Sequence, residues 1–211
     1  MDKLIIASKN KGKINEIKNI LKDLPIEVIS MTDAGFDMEM EEKGSTFSEN
    51  AMMKARSLYE HTDGMVLADD SGLEVNFLND APGIFTARFA GDSSGQEEKN
   101  KKILHLLKGI DKPYRTARFV CSMAFVSKEK SFTVNGSVEG IISDKPQGTE
   151  GFGYDPIFYL PEYNKTMAEL PEKTKNKISH RAIALEKLRN ELNMLSYTGV
   201  VFKNDKNTGN E

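Results

Sequence analysis

The chain has 211 residues, enough for one domain with a substantial core, and 38% hydrophobic against 29% charged residues is the balance of a globular protein. A formal charge of −3 argues against a general nucleic-acid coat, so an anionic ligand has to be drawn by a local cluster of cations. No apolar run approaches the ~20 residues of a membrane span, the N-terminus lacks a signal-peptide core, and the single cysteine, Cys121, excludes an intrachain disulfide framework and fits a reducing cytoplasm.

The first residues, "KLIIA", read as a strand. Ile14, Ile17, Ile20, Leu21 and Leu24 then recur at helical spacing, which predicts a helix over about 11–22, ended by Pro25. Between strand and helix stands "SKNKGK", residues 8–13, with lysines at 9, 11 and 13. A helix N-terminus already carries partial positive charge, so cations there cost about 0.3–1 kcal/mol each. One reading is a solvated lysine loop. The other is an anion cradle, in which free helix N–H groups face a phosphate, Ser8 and Asn10 bond its oxygens, and Lys13 supplies a point charge. It is not a Walker A loop, because Ile14 occupies the Ser/Thr slot after Gly12-Lys13.

"IEVIS" predicts a second strand, followed by an acidic loop, "DMEMEEKGS". Thr46-x-x-Glu49 matches a capping box and opens a helix to about His61, with Phe47, Ala51, Ala55 and Leu58 on its apolar face and Asn50, Lys54 and Ser57 on another. "MVLAD" and "LEVNFL" are strand candidates on either side of "DDSG", and "APG" marks a turn. Asp69 and Asp70 are either turn formers or, with the upstream carboxylates, hard ligands for Mg²⁺ and a base for an attacking water. A helix follows over about 97–107, with Ile103, Leu104 and Leu107 inward. "RTARFVCSMAFVS" and "SFTVNGSVEGIIS" are long strands joined by "KEK", hence a β-hairpin lobe.

"GTEGFGYDPIF" is a glycine-rich loop entering a strand, with Pro156 where a dinucleotide fingerprint needs its third glycine. Gly151 and Gly153 permit either a tight turn or a close approach to a ligand. In the second case Phe152 or Tyr154 offers a stacking face and Asp155 reads a ring N–H. The last helix spans about 180–195 with Ser179 as its N-cap. "KTKNKISHRA" places His180 and Arg181 in its first turn and Lys173, Lys175 and Lys177 just ahead, repeating the cationic misfit of the first helix. The chain beyond residue 203 is expected to fray. An α/β protein with a mixed sheet accounts for this order of elements.

Taken in order, "SKNKGK", "EEKGSTFSENAMMKA", "LADDSGLEV", "APGIFTARFAG", "GTEGFGYDPIF" and "KNKISHRA" closely resemble the inosine triphosphate pyrophosphatase family, the XTP/dITP diphosphatases, from about Lys3 to Leu192. The resemblance implies an elongated mixed β-sheet with flanking helices and two lobes around a central cleft. It also implies one domain over residues 1–195 and a homodimer; residues 196–211 extend past the last shared motif and are expected to be partly disordered, and the expected location is cytoplasmic. The implied activity is Mg²⁺-dependent hydrolysis of XTP, ITP and dITP to the monophosphate and pyrophosphate.

Carried onto this sequence, the family's phosphate-holding element falls on Ser8, Asn10 and Lys13, with Lys9, Lys11 and Gly12 inside it. Its metal-binding glutamate falls on Glu41. Asp70 becomes proton acceptor and metal ligand, and Ser71 touches substrate. Phe152, Gly153, Tyr154 and Asp155 lie beside the base, and Lys175, His180 and Arg181 complete the site. Glu42 and Asp69 stand as substitutes one register away. Phe85-Thr86 and Phe89 replace the Tyr-Ser and Tyr of many relatives, away from the implied chemistry. Two other readings are a purine nucleotide sensor without turnover and a Maf-like pyrophosphatase of pyrimidine or modified nucleotides. The acidic pair beside a cradle favours catalysis over sensing, since a sensor has no need of Asp70.

Overall fold

The computed structural model describes residues 2–91 and 93–197, so the extension expected over 196–211 lies almost wholly outside the described residues. In chain order the main elements are β1 (Lys3–Ile6), α1 (Lys11–Leu21), β2 (Glu27–Ser30), α2 (Phe47–Tyr59), β3 (Met65–Val75), α3 (Gln96–Leu106), β4 (Thr116–Val126), β5 (Ser131–Ile142), β6 (Phe158–Leu160), β7 (Lys165–Thr166), α4 (Glu172–Ile178) and α5 (His180–Tyr197). They build one seven-stranded sheet in the order β2-β1-β3-β4-β5-β6-β7. The β2-β1-β3 pairs are parallel and the remainder antiparallel. No helix among the described residues is long and apolar enough to cross a membrane.

Strand alternation decides which helix covers which face. Leu67 of β3 packs with Cys121, Met123 and Phe125 of β4, with Ile17 and Leu21 of α1, and with Leu185 and Leu188 of α5. Its neighbours Val66 and Ala68 pack instead with Ala51, Ala55 and Leu58 of α2. The helix after β1 and the helix after β2 therefore lie on opposite faces of the sheet. A crevice opens at the carboxyl end of β1, where such connections diverge. β1 pairs with only Met65–Leu67 of β3, and Ala7 N–H closes the contact on the Leu67 carbonyl at 2.8 Å. Beyond that point the β1-facing edge of β3 is free of a strand.

Three expectations are corrected. "DDSG" is not a turn between two strands: β3 runs through it unbroken, with Asp69 opposite Met123 and Asp70 opposite Ser122. Pairing along the whole of β4 satisfies the backbone and overrides the local turn preference. The β4–β5 hairpin is no separate lobe but the middle of the sheet. The lysines ahead of Ser179 lie on a short helix of their own, since residues 172–178 form α4. The capping box is half as drawn. Thr46 Oγ accepts from Glu49 N–H at 3.1 Å, while the Glu49 carboxylate reaches back to Ser45 N–H at 2.7 Å.

Gly136 of β5 sets the depth at which α5 docks. A Cβ there would stand 2.2 Å from the His180 carbonyl and 2.5 Å from Ala184 N. Backbone on both sides leaves nothing to give way. Gly136→Ala is expected to lower stability by about 1–3 kcal/mol, read from the urea midpoint.

Candidate active site

The crevice beside β3 is a cavity of about 540 Å³. α1 begins at its edge because Asn10 caps the helix: its Oδ1 accepts Lys13 N–H at 3.2 Å, and Ser8 Oγ accepts Asn10 N–H at 3.2 Å. Ser8, Lys9, Asn10 and Lys13 line the cavity. Lys9 also pairs with Asp37 at 2.7 Å in the open, and Lys11 stays exposed outside the wall. Gly12 has a steric task. A Cβ there would lie 2.8 Å from the Phe152 ring, so only glycine lets that ring pack on the cradle.

Asp69 and Asp70 are adjacent on a strand and so project to opposite faces, where they meet different cations. Asp69 is wholly buried. Its Oδ2 takes Lys13 Nζ at 3.0 Å and Arg181 Nη2 at 3.3 Å, and Ser71 Oγ donates to it at 3.3 Å. Burial alone would raise its pKa, but Lys13, Arg181 and Lys54 hold the carboxyl well below the usual range. The cationic misfits at the starts of α1 and α5 are thus met inside the protein, by a carboxylate far away in sequence. Arg181 in addition bonds Glu16 of α1 through Nη1, and Ser71 through Nη2 at 2.9 Å.

Asp70 faces α2. Asn50 Nδ2 donates to its Oδ2 at 3.1 Å and Lys54 Nζ to its Oδ1 at 3.1 Å. Burial, with Glu42 nearby, raises its pKa against the opposing pull of Lys54. Lys54 also holds Glu42 Oε1 at 2.8 Å. Of the two neighbouring glutamates, Glu42 is the one brought beside Asp70 through Lys54. Glu42 lines the cavity, whereas Glu41 is exposed and pairs with exposed Lys43 at 2.8 Å. The loop alternates here, so consecutive side chains cannot share a side.

At the far end, Asp155 lines the cavity, but one of its oxygens is already taken. It is buried, its Oδ2 accepting Phe152 N–H at 3.0 Å and Lys175 Nζ at 2.6 Å. Tyr154 is buried and donates its hydroxyl to the Thr86 carbonyl at 3.1 Å. That leaves Phe152 as the stacking face, with Lys175 Nζ 4.9 Å and the Arg181 guanidinium carbon 5.6 Å from its ring centre. Gly153, in the left-handed region at φ 68°, turns the loop between them.

His180 stacks on Phe119 at 4.8 Å, and Ser179 Oγ caps α5 through Ala182 N–H at 3.1 Å. Burial, then Arg181 and Lys175, push the imidazole well below its ordinary value, so it is neutral at physiological pH. Its stabilising contribution is complete above the unfolded value of about 6.5 and declines as the pH falls below it, because only the unfolded chain readily takes up the proton. Thermal melts from about pH 7.5 down to 5.5 should show a falling midpoint that His180→Phe flattens.

Asn50 and Lys54 lie within "EEKGSTFSENAMMKA" but have no role assigned there, and Glu16 lies outside every motif. Asn50 and Lys54 did carry a signal, four apart on a polar face of an otherwise apolar helix. Glu16 shares the Lys13 face of α1, but nothing local marks it.

Fold and cavity together define an α/β protein shaped to take a phosphorylated ligand between a cationic helix start and a carboxylate pair. The chain belongs to the Ham1 family, whose model matches residues 4–191. It is 50% identical over 188 residues to the dITP/XTP pyrophosphatase of Thermoanaerobacter pseudethanolicus, covering 89% of this chain and 95% of that one. With the dITP/XTP pyrophosphatase of Bacillus subtilis the identity is 49% over 189 residues, covering 89% and 96%. A HAM1 protein from Coxiella burnetii has the same fold, with a TM-score of 0.84 at 42% identity over 92% of this chain and 100% of that one.

Proposed function

We propose that this protein hydrolyses non-canonical purine nucleoside triphosphates (XTP, ITP and dITP) to the monophosphate and pyrophosphate. The observation that carries the reading is the pair of adjacent aspartates in one cavity, one locked as an anion by cations and the other held with a raised pKa. Only the second is poised to take a proton. The names of the relatives support the substrate class.

The triphosphate lies along Ser8, Asn10 and Lys13, where the free N–H groups at the start of α1 add to the attraction. Asp70 takes the proton of a water attacking the α-phosphorus, and the bond to the bridging oxygen breaks to release pyrophosphate. Asn50 and Lys54 hold the Asp70 carboxylate in place through one hydrogen bond to each oxygen. Lys13 and Lys54 stabilise the charge that develops on the leaving group. Phe152 stacks on the purine, while Lys175 and Arg181 favour a 6-oxo group over the 6-amino group of adenine.

Mg²⁺ fits the donor set. Asp70 Oδ1 and Glu42 Oε1 are hard oxygens that converge on the Lys54 ammonium, so positive charge already belongs between them. One or two carboxylates plus substrate phosphates are the ion's usual ligands. When bound, it neutralises the phosphates and polarises them. Glu42→Gln is expected to lower kcat/KM about tenfold or more and raise the Mg²⁺ requirement, while Glu41→Gln stays within about twofold of wild type. Steady-state rates against Mg²⁺ concentration separate the two.

The same reading includes a homodimer and a cytoplasmic location, the first accessible to sedimentation. The decisive assay incubates the protein with Mg²⁺ and ITP, XTP, GTP, ATP or dTTP and measures pyrophosphate and orthophosphate separately. Pyrophosphate from ITP and XTP is the expected product. Orthophosphate alone would mean that a different bond is cut, and no product at all would leave a sensor.

A further inference from the structure

Glu16 sits one turn after Lys13 on α1, is 8% exposed, and does not line the cavity. Its two oxygens are divided between two cations. Oε1 accepts Lys175 Nζ at 3.1 Å and Oε2 accepts Arg181 Nη1. Lys175 comes from α4 and Arg181 from α5, and both line the cavity under Phe152. No other carboxylate among the described residues touches both.

Donor counting shows what this bridge leaves for a ligand. A guanidinium has five N–H donors. Arg181 commits Nε and one Nη2 hydrogen to Asp69, the other Nη2 hydrogen to Ser71, and one Nη1 hydrogen to Glu16. One N–H remains, on the nitrogen that Glu16 holds. Lys175 has three donors, of which Asp155 and Glu16 take two. Each base-side cation thus retains one donor, and the same carboxylate aims both.

We infer that Glu16 is a positioning residue for base selection: by bridging Lys175 and Arg181 it fixes the two free donors on the 6-oxo group of the purine. Without its charge the cations repel each other and the donor pair splays. The loss falls on 6-oxo purines, because adenine, with a 6-amino group, gains little from those donors. The inference rests on the pyrophosphatase reading and refines its base end.

The test is pyrophosphate release from ITP and ATP by wild type, Glu16→Gln and Glu16→Asp. Glu16→Gln removes the charge. Glu16→Asp keeps it but withdraws it by one methylene, too short to span both cations. Glu16→Gln is expected to raise KM for ITP and lower the ITP:ATP ratio of kcat/KM at least about tenfold. Glu16→Asp should lower that ratio severalfold, and it decides alone if Glu16→Gln does not fold. Equal losses on both nucleotides, with the ratio at its wild-type value, are what a merely structural glutamate gives and would overturn the inference. Wild type that releases no pyrophosphate from ITP would instead sink the pyrophosphatase reading.

Discussion

Asp70→Asn is expected to abolish turnover, with kcat down about a thousandfold or more, while fold and nucleotide binding persist. The reasoning starts from burial. The Asp70 carboxyl is already pushed toward its neutral form by burial and by Glu42, so an uncharged amide of the same shape is tolerated. Lys54 loses one partner but keeps Glu42 at 2.8 Å. What disappears is the carboxylate that Asn50 and Lys54 of α2 hold in the cavity wall. Pyrophosphate release from ITP, a urea melt and equilibrium nucleotide binding check the three parts. Activity within tenfold of wild type would place the base elsewhere.

Asp69→Asn, one residue away, is expected to do the opposite first: to destabilise the fold by about 3 kcal/mol or more. Asp69 is fully buried and neutralises Lys13 and Arg181, which come from different helices. Replacing it leaves Lys13 without its ion pair and Arg181 with Glu16 alone, in a setting where an unpaired charge is expensive. The pH dependence has a definite sign. A carboxyl held below its unfolded value of about 3.9 gives stability that is complete above that value and is lost as the pH falls through the folded one. The acid limb of the wild-type stability curve should therefore be steep below about pH 4 and shallower in Asp69→Asn. Urea midpoints at neutral and acid pH measure both effects. If the two Asn variants are equally stable, the division of labour along β3 is wrong.

The contrast between these neighbours comes from strand geometry rather than residue type. In the sequence, "DDSG" offers two identical carboxylates followed by turn formers, and both the local reading and the choice between them were open. β4 pairs along the full length of β3, which removes the turn and sends the two side chains to opposite faces. Glu41 and Glu42 repeat the lesson at lower stakes. Register alone pointed to Glu41, and the loop's path presents Glu42.

Much was legible because it is local. Helical spacing at Ile14, Ile17 and Leu21, the caps at Thr46 and Ser179, and the long strands on either side of "KEK" are fixed by side chains a few residues apart. The cationic helix starts were likewise visible, and the fold brings both to one buried carboxylate, Asp69. Their partners were not visible. Asp69 lies 56 residues from Lys13 and 112 from Arg181, and Lys175 finds Asp155 across 20. The local misfit called for an anion, and the fold supplies one from its own chain, the Asp69 carboxylate. By itself the sequence determined the elements and the chemistry in play, since propensity, capping and hydrophobic period act within a turn or two. Tertiary structure alone decided which carboxylate meets which cation. Ion pairing is a matter of distance in space, and the strand crossing that sets those distances is a property of the whole sheet.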